Sequence, residues 1–199
     1  MVATFMPAVP PPSVSVSIVV PVFGDGADLP ALAERVGVVL GKAGATWELI
    51  FVNDGSPSPA WATITRVAAD RPNIRGMNLR RNFGQHNALL AGIRATLGDV
   101  IVTMDDDLQH PPEEIPKLLN QLDHETDVVY GTAADRVRGW VRDCAAAASK
   151  AAMATVLGTT HARSIGAFRA FRGSLRRTFQ EYDSPHVSID VLLNWATSR

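Results

Sequence analysis

The sequence predicts an α/β domain with a mostly parallel central sheet and helices on both faces. Three observations carry that expectation. Five short strand-like runs alternate with segments of helical spacing between Ser15 and Tyr130, the pattern of parallel strands joined by right-handed crossovers. The chain has 199 residues, 46% of them hydrophobic, enough for one sizeable core. Charged residues are 20% of the chain and the net charge is −1. That balance excludes a disordered chain and offers no basic excess for nucleic acid.

Each element has its own signal. Residues 1–13 carry Pro7, Pro10, Pro11 and Pro12 and are expected to form a flexible tail, with one domain over 14–199. Ser15–Pro21 is β-branched and short, hence a buried strand. Leu29–Leu40 has helical spacing and runs out at Gly41 and Gly44. Trp47–Val52 reads as the second strand and stops at the turn signal Asn53-Asp54-Gly55-Ser56. A helix follows from Pro59 to Ala69, then a weaker strand over Asn73–Leu79 and a helix over Gly84–Leu97. Asp99–Met104 is the fourth strand. Pro111-Pro112-Glu113-Glu114 opens another helix, with proline and acids where helix starts favour them. Asp127–Tyr130 is the fifth strand. Beyond Gly131 the pattern loosens: an Ala-rich helix over Ala145–Leu157, a sixth strand within Ile165–Phe171, and helices over Ser174–Tyr182 and Ser188–Trp195.

The single cysteine, Cys144, cannot form an internal disulfide, and a reducing compartment is the natural reading. On the Ala-rich helix it reads as a small buried hydrophobe rather than a nucleophile. The long uncharged run from Met1 to Gly24 contains five prolines, so it is neither one membrane-crossing helix nor, lacking a basic start, a secretory signal. Charge is unevenly placed. Asp99–Asp127 has nine acids against Lys117, a net −8, and Gly131–Gln180 has nine bases against two acids, a net +7. A metal site beside an anion site fits this pattern, and so do two solvated faces.

Ligands of parallel sheets bind beyond the carboxyl ends of the strands, and the polar motifs fall there. Asp105-Asp106-Asp107 directly follows an apolar strand. Three carboxylates this close repel one another unless a cation neutralises them. Oxygen ligands suit Mg²⁺ or Mn²⁺, which commonly share their shell with substrate phosphates and would stabilise a departing diphosphate. A loop cluster of acids is the alternative. Asn53-Asp54-Gly55-Ser56 can offer a carboxylate to a ribose or base, although Asx-Gly is more often a plain turn. Arg80 and Arg81 precede a helix start, a place suited to phosphate, or they form a basic surface turn. His86 could act as a base, but a lone histidine is more often structural. No cysteine cluster or spaced histidine pair supports zinc.

V-P-V-F at 20–23, V-N-D-G-S at 52–56, R-N-F-G-Q-H at 81–86, M-D-D-D-L-Q-H-P-P at 104–112 and D-V-V-Y-G at 127–131 together resemble family-2 glycosyltransferases. Within them the set is similar to the polyprenyl-phosphate, dolichyl-phosphate mannose synthase-like branch, over about residues 15–197. The resemblance implies the GT-A fold and transfer of a sugar, with inversion, from a nucleoside diphosphate to a polyprenyl phosphate. It implies that Pro21, Val22 and Phe23 line the nucleobase and ribose pocket and that Asp54 binds base or ribose. Asp25, Arg81, Asn82, Gly84, Gln85, Asp105 and Asp106 fall on donor-side positions. Asp105 and Asp107 fall on the ends of the family's D-x-D, with Gln109 as a further metal ligand for Mg²⁺ or Mn²⁺. Asp107 and Arg169, the latter near the reacting phosphates, are the implied catalytic residues.

There are departures. Gly24-Asp25 stands where Asn-Glu is frequent, Gln85 where many members have lysine, and Ala133 where arginine is common. Ala167 replaces an aspartate expected as general base. A phosphate monoester, with a second pKa of roughly 6, is already anionic at neutral pH and needs no such base, so Ala167 favours a lipid-phosphate acceptor. The expected setting is cytoplasmic, peripheral at the inner face of the membrane, with a homo-oligomer left open and no nucleic-acid partner. The branch's lipid-linked members continue into interfacial helices or spans, a segment this chain is expected to lack. Two competitors stay open: a catalytically inactive relative that only binds nucleotide or lipid, and a sugar nucleotidyltransferase. The Gly-rich loop with Arg and Lys that would mark the second is missing from Pro21–Asp28.

Overall fold

The computed structural model describes residues 3–5, 15–57, 59–131, 167–184 and 186–197. Seven strands form one sheet: β1 (Ala3–Phe5), β2 (Val16–Val22), β3 (Trp47–Asn53), β4 (Ile74–Leu79), β5 (Val100–Thr103), β6 (Val128–Tyr130) and β7 (Arg169–Arg172). Their order is β1-β4-β3-β2-β5-β7-β6. The central four are parallel: β2 pairs with β3 and β5, and β3 pairs with β4.

All seven residues of β2 are buried, as expected for a strand covered on both faces. Its side chains alternate between two cores. Ile18, Val20 and Val22 pack with α1 (Leu29–Lys42), α2 (Ala60–Ala68) and α4 (Ile115–Gln121). Val19 faces the opposite core, with Ile50 and Val52 of β3, α3 (Gln85–Arg94), α5 (Arg176–Glu181) and α6 (Ile189–Ala196). The period-2 pattern of the strands therefore places helices on both faces. Gly92 lets α3 lie close against this sheet. A Cβ there would sit 2.4 Å from Val19 and 2.9 Å from Val52.

Three expectations are corrected. Residues 3–5 of the expected tail form β1, which pairs antiparallel with β4 through Ala3↔Leu79 and Phe5↔Met77. Thr4 and Phe5 favour strands and precede the first proline, and the β4 edge offers unpaired backbone groups. The fifth expected strand has no parallel neighbour: β7, the sixth expected strand, inserts between β5 and β6 and runs antiparallel to both, so β6 keeps the direction of β5 but pairs antiparallel with β7. Pro111–Glu114 does not open directly into an α-helix, because Pro112–Glu114 is a 3₁₀ turn ahead of α4. The Ala-rich helix over 145–157, Cys144, Ala133 and the basic residues Arg136, Arg138, Arg142, Lys150 and Arg163 lie outside the described residues.

Candidate active site

The chain crosses from β2 to β3 to β4 in one direction along the sheet, then returns to place β5 on the other side of β2. That reversal opens a crevice between the carboxyl ends of β2 and β5, where ligands of such sheets bind. A cavity of about 320 Å³ lies there. Pro21, Val22 and Phe23 come to it from β2, and Asp54 from the end of β3. Asn82, Gly84 and Gln85 come from the loop into α3, and Asp105, Asp106 and Asp107 from the end of β5. The structure brings these ten of the expected site residues together.

Asp54 is 2% exposed. Its Oδ1 accepts the Phe83 N–H at 2.8 Å and its Oδ2 the Gly84 N–H at 2.9 Å. Burial raises its pKa, and the two N–H groups oppose that rise. Its observed work is to clamp the 81–84 loop against the end of β3. Gly55, at φ +66°, allows that closeness: a Cβ there would lie 2.2 Å from the Arg81 carbonyl carbon. The Gly84 N–H also donates to Asn82 Oδ1 at 2.8 Å.

The acidic turn is held from both sides. Gln85 donates its amide to Asp105 Oδ1 at 2.7 Å. Asp107 Oδ1 accepts the Gln109 N–H at 3.0 Å. Leu108 between them adopts a left-handed backbone, φ 57°, unusual for a branched side chain. Burial raises the Asp105 pKa, with Asp107 adding to the rise and His110 and Arg169 opposing it. Burial pushes Asp106 up to about 6, with Asp107 and Asp105 contributing. Removing cost of this kind is what a bound cation does. Among the described residues no cluster of three or more His, Cys, Asp and Glu is set to hold a metal. Mg²⁺, however, usually takes only one or two carboxylates and completes its shell with phosphates and water. Asp105 and Asp107, with a donor diphosphate, fit that set.

Four expected site residues do not line the cavity. Asp25 is exposed and accepts the Ala27 N–H at 3.0 Å. The exposed Arg81 lays its guanidinium 4.7 Å from the Phe83 ring centre. Gln109 is exposed beside the turn. Arg169 is 2% exposed, ion-paired with Asp190 of α6 and donating Nε to Thr103 Oγ1 at 3.1 Å. Ala167 offers no acid, and its carbonyl accepts the Thr103 hydroxyl at 2.6 Å. His86 plays the structural part, its Nδ1 accepting the Ile189 N–H at 3.3 Å.

Residues not singled out in the sequence also shape the site. His110 stacks on Phe168, with ring centres 5.3 Å apart, and reaches 4.0 Å from Asp105 Oδ2. Burial, with the nearby Asp190 charge, pushes the Tyr130 phenol up to about 12. Asp190 had one readable signal, an acid in the first turn of an apolar helix. Its pairing 21 residues back to Arg169 had none.

The family model described as "Glycosyl transferase family 2" matches residues 17–175. The chain is similar to two proteins named undecaprenyl-phosphate 4-deoxy-4-formamido-L-arabinose transferase. The one from Pectobacterium atrosepticum is 42% identical over 123 residues, covering 61% of this chain and 38% of the relative. That from Edwardsiella ictaluri is 35% identical over 181 residues, covering 90% and 55%. The chain thus spans only about two fifths to just over half the length of these relatives. Among solved structures it is similar to glucosyl-3-phosphoglycerate synthase from Mycobacterium tuberculosis in complex with Mn²⁺, uridine diphosphate and phosphoglyceric acid. That likeness has TM-score 0.58 and 21% identity, over 81% of this chain and 56% of the other. A mannosyltransferase from Pyrobaculum calidifontis in complex with GDP-Man and Mn²⁺ gives TM-score 0.58 and 16% identity, over 93% and 52%. At these identities the structural likeness establishes the fold, GT-A, as expected.

Proposed function

The chain belongs to glycosyl transferase family 2, and on that premise we propose that it moves a sugar from a nucleoside-diphosphate donor to a polyprenyl phosphate. The observation that carries the proposal is the single cavity uniting Asp54, Gly84, Gln85 and Asp105–Asp107 at the β2/β5 crevice. Relatives named for an undecaprenyl-phosphate acceptor support the choice of acceptor.

In this reading Pro21, Val22 and the 57% exposed Phe23 form the apolar wall for nucleobase and ribose. Asp54 accepts a hydrogen bond from base or ribose with the lone pairs its loop contacts leave free. Asp105 and Asp107, with Gln109 beside them, would hold Mg²⁺ or Mn²⁺, which supplies charge neutralisation at the leaving diphosphate. Arg169 adds positive potential from behind Asp105. The bond from the sugar's anomeric carbon to the diphosphate oxygen breaks as a bond to the acceptor phosphate oxygen forms on the opposite face, so configuration inverts. The acceptor is already anionic near neutral pH, which accords with Ala167 in place of an acid. A lipid acceptor puts the reaction at a membrane surface, which we place at the cytoplasmic face. No helix among the described residues is long and apolar enough to cross a membrane.

The test is a thermal-shift panel of nucleoside diphosphates and their sugars, with and without Mn²⁺, followed by transfer of a labelled sugar to undecaprenyl phosphate. Metal-dependent binding and lipid-linked label are expected. Metal-dependent binding with no transfer to any lipid phosphate would establish the inactive-binder reading that Ala167 also permits.

A further inference from the structure

We infer that Asp190 is a positioning residue for the donor site, acting through Arg169 and the first turn of α6 to fix Asp105. Two ties leave that turn. The Ile189 N–H reaches His86 Nδ1 at 3.3 Å. His86 is the sequence neighbour of Gln85, whose amide holds Asp105 Oδ1 at 2.7 Å. The Asp190 carboxylate pairs with Arg169, whose Nε reaches Thr103 Oγ1 at 3.1 Å. Thr103 ends β5, two residues before Asp105, and its own hydroxyl bonds the Ala167 carbonyl at 2.6 Å. One helical turn therefore governs both the side-chain and the backbone supports of the same carboxylate. Through these ties α3, β5, β7 and α6 meet around this turn.

A buried ion pair can serve stability alone, and the sheet contains a comparator. Arg75 and Glu48 form a pair with side chains 6% and 0% exposed. They lie near the starts of β4 and β3, at the end of the parallel sheet away from the carboxylates. The two pairs are alike in chemistry and in the burial of their arginines, although Asp190 is 23% exposed where Glu48 is fully buried. They differ in that only the Asp190 pair is one hydrogen bond from the strand end carrying Asp105. Outer supports of this kind, when lost, typically lower metal affinity 10–100-fold.

The inference rests on the metal-assisted donor site proposed above, and two readouts separate the two. The first is Mn²⁺·UDP affinity by calorimetry. The second is amide hydrogen exchange over residues 84–86 and 103–107 of the ligand-free protein. Asp190→Asn should lower Mn²⁺·UDP affinity about tenfold and speed exchange in both segments. Arg75→Lys should lower the melting temperature while leaving affinity within about twofold and those segments protected. Thr103→Val, nearly isosteric, keeps the question open to experiment if Asp190→Asn does not fold, with an expected affinity loss of about threefold. Wild-type affinity and protection in Asp190→Asn, equal loss in Arg75→Lys, or an unaffected Thr103→Val would each overturn the inference. A wild-type protein that binds no Mn²⁺·UDP, yet loosens at 84–86 and 103–107 in Asp190→Asn, would refute the proposed donor site and leave the positioning role standing.

Discussion

Replacing Gly55 by alanine tests how the 81–84 loop is held. Gly55 has φ +66°, and an alanine Cβ would stand 2.2 Å from Arg81 C and 2.4 Å from Asn82 N. Both obstacles are backbone atoms, so no side-chain rotation relieves the clash. Opening 2.2 Å to the 3.4 Å of ordinary contact moves the two loops apart by about 1.2 Å. Hydrogen bonds of 2.8 and 2.9 Å from Phe83 and Gly84 to Asp54 then stretch toward 4 Å, beyond useful length. The left-handed alanine costs roughly 1 kcal/mol, and each weakened bond to the buried carboxylate roughly 1.5 kcal/mol. A total near 4 kcal/mol lowers the melting temperature of a domain this size by about 8–16 °C. Gly84→Ala is the paired control. It also has positive φ (+90°, with ψ 150°), but its Cβ would meet nothing within 4 Å, so only a conformational cost of about 1–3 kcal/mol applies. Thermal denaturation of both variants decides the matter. Equal losses would mean that the close approach at Gly55 does not hold the loop, and that the clamp assigned to Asp54 carries little energy.

Three further outcomes follow from the same geometry. Asp107→Ala should abolish the Mn²⁺-dependent part of UDP binding in calorimetry, while the metal-free melting temperature moves by no more than about 2 °C, because Asp107 is exposed. Arg169→Lys keeps the charge beside Asp190 but loses the Nε bond to Thr103. Sugar transfer should fall about 10²-fold while Mn²⁺·UDP affinity drops by no more than about threefold, and near-wild-type turnover would remove Arg169 from the reaction. His86 has its pKa lowered, chiefly by burial, so the unfolded chain takes up its proton first as pH falls. Its contribution to stability is complete above the ordinary histidine pKa and is lost as pH drops from there through the folded value. Denaturation of His86→Gln between pH 7 and 5 should accordingly show a flatter pH dependence than wild type.

The parallel half of the fold was legible because its strands carry an unambiguous signal. Val16–Val22 and Trp47–Asn53 are mostly apolar runs, broken by Ser17 and Glu48 and closed by turn residues, and the predicted bounds agree to within one or two residues. Strand direction is not encoded in a period-2 pattern. Asp127–Tyr130 therefore read as another strand in parallel pairing, whereas β7, some forty residues later, takes the place beside β5 and leaves β6, though it runs with β5, paired antiparallel to β7. The cavity was legible for a related reason: every residue brought to it sits at a strand end or in the next turn. Arg169 was harder. Phe-Arg-Ala-Phe places a guanidinium on a strand, and nothing local reveals that α6 supplies Asp190 to bury it. Asp54 shows a third case. Its residue type and position were readable, but its contacts with Phe83 and Gly84 depend on a loop 29 residues away.

The electrostatics of the cavity explain why its acids are tolerated. Its lining includes four carboxylates and no lysine or arginine among the described residues. The hydrogen bonds that hold them come from neutral donors, two backbone N–H groups at Asp54, an amide at Asp105 and a backbone N–H at Asp107, while His110 and Arg169 oppose only part of the rise at Asp105. Neutral donors fix position without cancelling charge, and Asp105 and Asp106 consequently keep raised pKa values. A nearby arginine would have lowered that cost and made the free protein more stable. It would also have competed with a cation for the same oxygens. The nearest buried arginine, Arg169, instead has its charge committed to Asp190. In the function proposed above, the unfavourable charge density is left for a metal and a diphosphate to resolve together, and stability is given up at the place where binding energy is needed.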